Sequence, residues 1–207
     1  MPIGVYTPIS EQTIAEAVAM LSPNAGAEIG AKGAAPVAGT VTVALRRFGP
    51  MFELTFTLTA ARLTVTDGAA SGSYGSLKLF DFVAQAISFL GARQDYTAFA
   101  EGAALTGAAG DAAFEIGVGT TAIVAAADGT LGNGVNENVG QAVTVTLAGG
   151  TGTGTAVDGA KTTALNGTAT ELDLYLNWSG TAATIDANST IDVTGTITVV
   201  GFFLGDD

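Results

Sequence analysis

The chain has 207 residues, a net charge of −12, and neither cysteine nor histidine. Apolar residues make up 48%, but aromatics only 7% and charged residues only 13%, which excludes ordinary disorder, a state that pairs low hydrophobicity with high charge. Seven Lys and Arg in total are too few for a phosphate-backbone footprint, so no nucleic-acid partner is expected.

The missing His and Cys remove Ser-His-Asp and Cys-His nucleophilic sites and most zinc sites, so no enzymatic role and no cofactor are expected. The charge is unevenly placed. Residues 1–100 carry six basic and seven acidic side chains, and residues 101–207 carry one basic residue, Lys161, and twelve acidic ones. The plain reading is a solvated acidic face; the sharper one is polarity, with a near-neutral part docking and an acidic part facing water. No run of 18 apolar residues is present, so no membrane span is expected. Met1-Pro2-Ile3-Gly4-Val5-Tyr6 lacks a basic and then apolar leader pattern, so the expectation is a protein made in a cytoplasm without a Sec address.

Ser10 to Leu21 is the helix candidate. Ser10 can cap it, Glu11 sits in the first turn, and Ile14, Val18 and Leu21 share a face that could bury against a neighbour. Pro23 and Asn24 end it. Residues 25–39 are rich in Ala and Gly and read as an extended arm or linker. The chain is therefore divided into an N-terminal arm, 1–36, and a β domain, 37–207.

From residue 40 the period becomes two. Val41, Val43 and Leu45 alternate with Thr42 and Ala44; Gly49-Pro50 marks a turn; Phe52, Leu54, Phe56 and Leu58 then alternate with Glu53 and threonines, and Leu63 and Val65 continue. Phe80 to Leu90 fits a helix as well as a strand, and is read as strand from its neighbours. Further strands carry Phe114, Ile116 and Val118; Val143, Val145 and Leu147; Leu172, Leu174, Leu176 and Trp178; and Ile191, Val193, Ile197 and Val199. Strands separated by turn signals, without helices between them, predict an all-β fold: an antiparallel β-sandwich, jelly-roll-like, with a short N-terminal helix or extended arm. Trp178 is expected inside.

Carboxylates and tyrosines are what remains for chemistry. Glu171 and Asp173 share a strand face, but outward acids on a half-exposed strand are expected anyway. Gly149 to Thr155 is glycine-rich but lacks the Gly-Lys-Ser/Thr ending of a phosphate loop, and reads as a hairpin connection. The stretch 128–138 clusters hard oxygen donors around glycines. It reads as a structural loop, with calcium at Asp128, Asn133, Asn136 and Glu137 as the alternative. Three Asn-X-Ser/Thr matches, at Asn166, Asn177 and Asn188, read as chance. Arg46 and Arg47 are adjacent and so point to opposite faces; with Arg62 they are the basic interface candidates.

The order of segments, with Tyr74-Gly75-Ser76-Leu77-Lys78-Leu79-Phe80-Asp81-Phe82 its most specific part, resembles virion structural proteins of tailed bacteriophages, of the capsid cement or decoration type. Glu53 to Thr59 and Leu63 to Asp67 precede that part, and Leu172 to Asn177, Ile185 to Asn188 and Thr194 to Thr198 follow it. The resemblance covers roughly residues 50–207. It implies a protein that binds the outside of an assembled head and clamps neighbouring capsomers. Its partners would be the major capsid protein and itself, as a homotrimer or homodimer, and its place the capsid surface. A head-fibre or tail-associated protein, a secreted calcium-dependent adhesin and a carbohydrate-binding sandwich are the rival readings; the last would need an aromatic platform that one outward Tyr175 does not make.

Overall fold

The computed structural model describes residues 29–68, 72–101, 111–124, 131, 135–148, 151–152, 157–159, 163–167, 170–180 and 187–205. Among them every regular element is a strand: β1 (Gly30–Lys32), β2 (Thr40–Phe48), β3 (Met51–Asp67), β4 (Ser73–Phe82), β5 (Ala86–Glu101), β6 (Asp111–Gly119), β7 (Gly140–Ala148), β8 (Thr151–Gly152), β9 (Val157–Gly159), β10 (Thr163–Asn166), β11 (Asp173–Gly180) and β12 (Ser189–Gly205). The expected helix at 10–21, with Ile14, Val18 and Leu21, lies outside the described residues. The last part of the expected arm does not stand apart from the body. Ile29 is buried, β1 pairs with β4, and the Gly33 N–H donates to the Leu79 carbonyl at 2.9 Å.

All pairings are antiparallel, in the order β1-β4-β11-β6-β7-β8-β5-β12-β3-β2, with β9 and β10 also on β5. One layer is β2-β3-β12-β5. The other is β1-β4-β11-β6-β7. At one corner Thr66 and Asp67 of β3 pair with Tyr74 and Ser73 of β4, so the sandwich bends nearly into a barrel. At the opposite seam the ladder is thin: β7 meets β8 only at Ala148↔Thr151. A buried glutamine reinforces it. Gln94 of β5 donates through Nε2 to the Gln141 carbonyl of β7 at 2.7 Å, and its Oε1 accepts from the Tyr96 hydroxyl at 2.8 Å. Complete burial pushes the Tyr96 phenol far above its ordinary pKa, so it stays a donor.

The core between the layers holds two aromatic groups. Phe52 lies 5.7 Å from Phe82 and 4.8 Å from Phe203, and Phe82 lies 5.7 Å from Phe89. At the other end Phe114 stacks on Trp178 at 4.2 Å, with Phe99 at 6.4 Å from the same indole. Trp178 is fully buried, as its alternation with Leu174 and Leu176 predicts.

Bulges set which side chains face this core. A bulge adds one residue and so flips the inward set by one position. In β3 the inward residues are Phe52, Leu54, Phe56 and Leu58, then Ala61, Leu63 and Val65; the pairing with β12 slips between Val193 and Gly195, opposite Thr59-Ala60. In β5 the inward residues are Ile87 and Phe89, then Ala92, Gln94 and Tyr96, then Phe99, with slips opposite Gly201 and Gly195. In β4 the inward phase changes between Leu79 and Phe80, where β11 slips between Leu174 and Tyr175. The run Phe80 to Leu90 is accordingly two strands, joined by a bend at Ala84 and Gln85.

The β3 bulge forces Ala60 to a φ of +45°, and its N–H donates to the Thr194 hydroxyl at 3.0 Å. Gly39, at φ +74°, packs directly on the Ala60 carbonyl, where a Cβ would collide with backbone. Ala60→Gly should therefore raise stability by up to about 1 kcal/mol, since glycine adopts this region without a Cβ penalty. Gly39→Ala should lower it by more than that. Thermal melts of the two variants check both signs.

Candidate functional site

Three assemblies of polar or exposed side chains result from this register. The first surrounds Lys78 on the outer face of β4. Asp173 and Asp81 stand opposite each other on β11 and β4, and the Lys78 ammonium bridges them at 2.8 and 3.1 Å. The Tyr175 hydroxyl donates to Asp173 Oδ2 at 2.6 Å. The residue brought against Asp173 is thus Asp81 across the sheet, while Glu171 lies exposed outside the strand. Burial raises the Asp173 pKa, but hydrogen bonds from Lys78 and Tyr175, with the Lys78 charge, outweigh it and hold the carboxyl below its ordinary value. The hydrogen bond to Asp173 lifts Lys78 to about 12 against the opposing cost of burial, and burial with the Asp173 bond lifts Tyr175 to about 12. A carboxylate held as an anion by an ammonium is a poor general acid. The arrangement is a cross-strand ion cluster.

The second assembly is the connection from β6 to β7, laid over the outer face of β11. Asn177 is its hub. Its Nδ2 donates to the carbonyls of Thr121 at 2.9 Å and Asn136 at 2.8 Å, and its Oδ1 accepts from Ser76 Oγ at 2.6 Å and from the Ile123 N–H at 3.4 Å. Asn136 Nδ2 donates to the Thr121 carbonyl at 3.0 Å, and Glu137 Oε2 accepts the Ala142 N–H at 2.7 Å. Asn138 accepts the Thr120 N–H and donates to the Thr120 hydroxyl, both at 2.9 Å. Of the calcium candidates, Asp128 and Asn133 lie outside the described residues. Asn136 and Glu137 are buried and bind the protein's own backbone. Among the described residues no group of three acidic side chains converges on a point.

The third assembly is the outer face of β2, β3, β12 and β5. Register places Thr42, Thr57 and Thr196 in one row and Ala44, Thr55 and Thr198 in the next. Arg46, Glu53 and Val200 follow, and then Phe48, Met51 and Phe202. Phe48 is 58% exposed and Leu204, beyond Phe202, 55%. Its charges are matched: Arg46 lies 3.8 Å from Glu53, and Arg62 grips Asp192 through two bonds of 2.7 Å. Those bonds, with the Asp192 charge, raise the Arg62 pKa further. Arg47 points to the other face, its guanidinium 5.4 Å from the centre of the Phe203 ring. Of the three basic interface candidates, Arg46 alone combines an outward direction with high exposure.

Asn177→Ala should cost about 1–3 kcal/mol, because it strands the buried Asn136 carbonyl, while the Thr121 carbonyl keeps Asn136 Nδ2 and the Ile123 N–H keeps Ser76 Oγ. Adding millimolar calcium to the wild-type protein should leave the melting midpoint unchanged. For the ion cluster the signs are opposite at the two ends of the pH scale. Asp173, held low in the fold, stabilises above its unfolded pKa of 3.8, and that contribution is lost as pH falls through the lower folded value. Lys78, held high, stabilises below 10.5, and its contribution is lost as pH rises through about 12. Asp173→Asn should therefore flatten the acid limb of a denaturation series, and a wild-type acid limb would mean that the cluster adds nothing.

Compared with models of protein families, with curated proteins and with solved structures, the chain matches none of them.

Proposed function

We propose that this chain is a virion structural protein of the capsid cement type, which docks on the outer surface of an assembled head and ties neighbouring capsomers together. The observation that carries the reading is the contrast between the two outer faces. The β2-β3-β12-β5 face has matched charges, broad rows of threonine and an exposed apolar end at Phe48, Met51, Phe202 and Leu204. The opposite face carries Asp81, Asp173 and Glu115 against Lys78. The matched face loses little hydration when covered, whereas the acidic face is costly to bury and stays wet. The sequence resemblance supplies the partner: a preassembled shell, whose many equivalent sites turn weak contacts into firm ones by avidity.

The test uses particles from the source of the chain. Shells stripped of the protein should rupture at lower temperature, and adding it back should restore them. Phe48→Asp should weaken rebinding at least tenfold while leaving the melting midpoint of the isolated protein within a few degrees, since Phe48 is mostly exposed. If stripped and decorated shells rupture alike and the protein is found at the tail, the tail-associated reading replaces this one.

A further inference from the structure

The strand order ends on β2, and among the described residues no strand pairs with its second edge. This edge is nine residues long, without proline or bulge, whereas the other terminal strand, β1, has three residues. Long unprotected edges pair with other strands.

The backbone defines what it offers. β2 and β3 join through the two-residue turn Gly49-Pro50, with Gly49 at φ +62°, so Phe48↔Met51 is a hydrogen-bonded pair. Pairs alternate back from it. Arg46, Ala44 and Thr42 face β3 with their N–H and C=O groups, while Val41, Val43 and Leu45 turn theirs to the open edge. Lys32 fits this assignment, since its Nζ donates to the Val41 carbonyl at 3.0 Å and caps that end of the edge. Leu45 is 45% exposed beside it.

We propose that β2 is the seam of a homodimer, pairing antiparallel with β2 of a second copy about a two-fold axis at Ala44. Two constraints select that centre. An axis one residue earlier, at Val43, would pair only residues 40–46 and leave Arg47 and Phe48 outside the ladder, whereas Ala44 is the middle of Thr40–Phe48 and brings all nine residues into register. Val41 then stands opposite Arg47 of the second copy, and its carbonyl has two lone pairs, one for that N–H and one for Lys32. An axis one residue later, at Leu45, would set the two Arg46 guanidinium-bearing positions roughly 7 Å apart along the strands. Centred on Ala44, the Arg46 positions are separated by roughly 14 Å, beyond the screening length of about 8–10 Å. Arg46 also keeps Glu53 beside it. Val43 then exchanges both backbone bonds with Leu45 of the second copy, and the reverse, and the two half-exposed apolar side chains cover each other. The small exposed Ala44 meets its own copy in a non-hydrogen-bonded pair, the closest kind of approach. This seam does not depend on the shell-binding reading; it would serve any dimeric function and leaves the Phe48–Phe202 row on one continuous two-copy surface.

The natural lack of cysteine makes the test direct. The wild-type chain should sediment between its 20.4 kDa monomer and twice that mass as concentration rises. Facing Cα atoms about 4.5 Å apart are within disulfide reach, so A44C should oxidise to a covalent dimer. T196C, on the same face but away from the edge, should not. L45P removes an N–H that faces the edge and not β3, so it should stay monomeric and melt close to the wild-type monomer. A44R, which sets like charges on the axis, should also stay monomeric and keeps the test decisive if L45P folds poorly. A wild-type chain that remains monomeric up to about 100 µM overturns the proposal. So does a dimer that survives L45P and A44R, an A44C that does not cross-link, or a ring larger than two copies.

Discussion

A seventeen-residue strand is too long for the body it crosses, and that mismatch shapes the rest. β12 spans 17 residues, about 55 Å if straight. A globular chain of this length has a radius of gyration of roughly 17 Å. The strand must bend, and it does so where it can. At Gly195, φ +156°, the partners on both sides carry an extra residue, Thr59-Ala60 on β3 and Thr97 on β5. A Cβ there would collide with the Asp95 carbonyl, so glycine is required by close approach as well as by twist. Two bulges at one level coil the whole layer. That coiling lets the end of β3 turn the corner and meet β4 at Thr66 and Asp67, which nearly closes the sheet.

Closure in turn creates the polar interior surfaces. Where strands run out of partners, buried side chains replace the ladder. Gln94 bridges β5 to β7 at the thin seam, and Asn177 ties the β6–β7 connection onto the back of β11. Each buried amide has partners for its donors and acceptor, which is the condition under which a polar group inside a protein adds specificity and not cost. Trp178 sits between these two solutions. Its ring fills the core against Phe114 while its strand neighbour Asn177 faces the opposite way, into the covering loop.

Most of the strands could be read from alternation, because threonine outward and large apolar inward is an unambiguous period when a strand is straight. β2, the first half of β3, β6, β7 and β11 were legible in this way. The second half of β5 was not, since Leu90-Gly91 and Thr97-Ala98 each shift the phase and the stretch 92–101 has no single alternation. Yet the same shift is visible in β3, where even-numbered Phe52 to Leu58 gives way to odd-numbered Leu63 and Val65. A change of parity within one apolar run is the sequence signal of a bulge. The ion cluster was harder. Asp173 was visible as an outward acid, but its partners Lys78 and Asp81 lie about ninety residues earlier, and only the β4–β11 register brings them together. Asn177 stood out only as a chance Asn-X-Ser match, because nothing local foretells that a loop will cover it.

The uneven charge shows how topology converts a sequence property into a spatial one. The near-neutral first hundred residues and the acidic remainder are not two ends of the molecule, since β12 is inserted between β3 and β5 and β11 between β4 and β6. A simple division into a docking half and a wet half fails on that interleaving. What survives is a division by layer. β12 brings Asp192 to β3, where Arg62 neutralises it, and otherwise turns threonine, Val200 and Phe202 outward. β11 brings Asp173 to β4, where Lys78 already has Asp81 to balance. Among the described strands, β2, β3, β12 and β5 carry four basic and five acidic residues, and β1, β4, β11, β6 and β7 carry two basic and four acidic ones, although both layers contain strands from both parts of the chain. The result is a surface of matched charge beside an apolar row on one layer, with the Lys78 ion cluster on the outer face of the other.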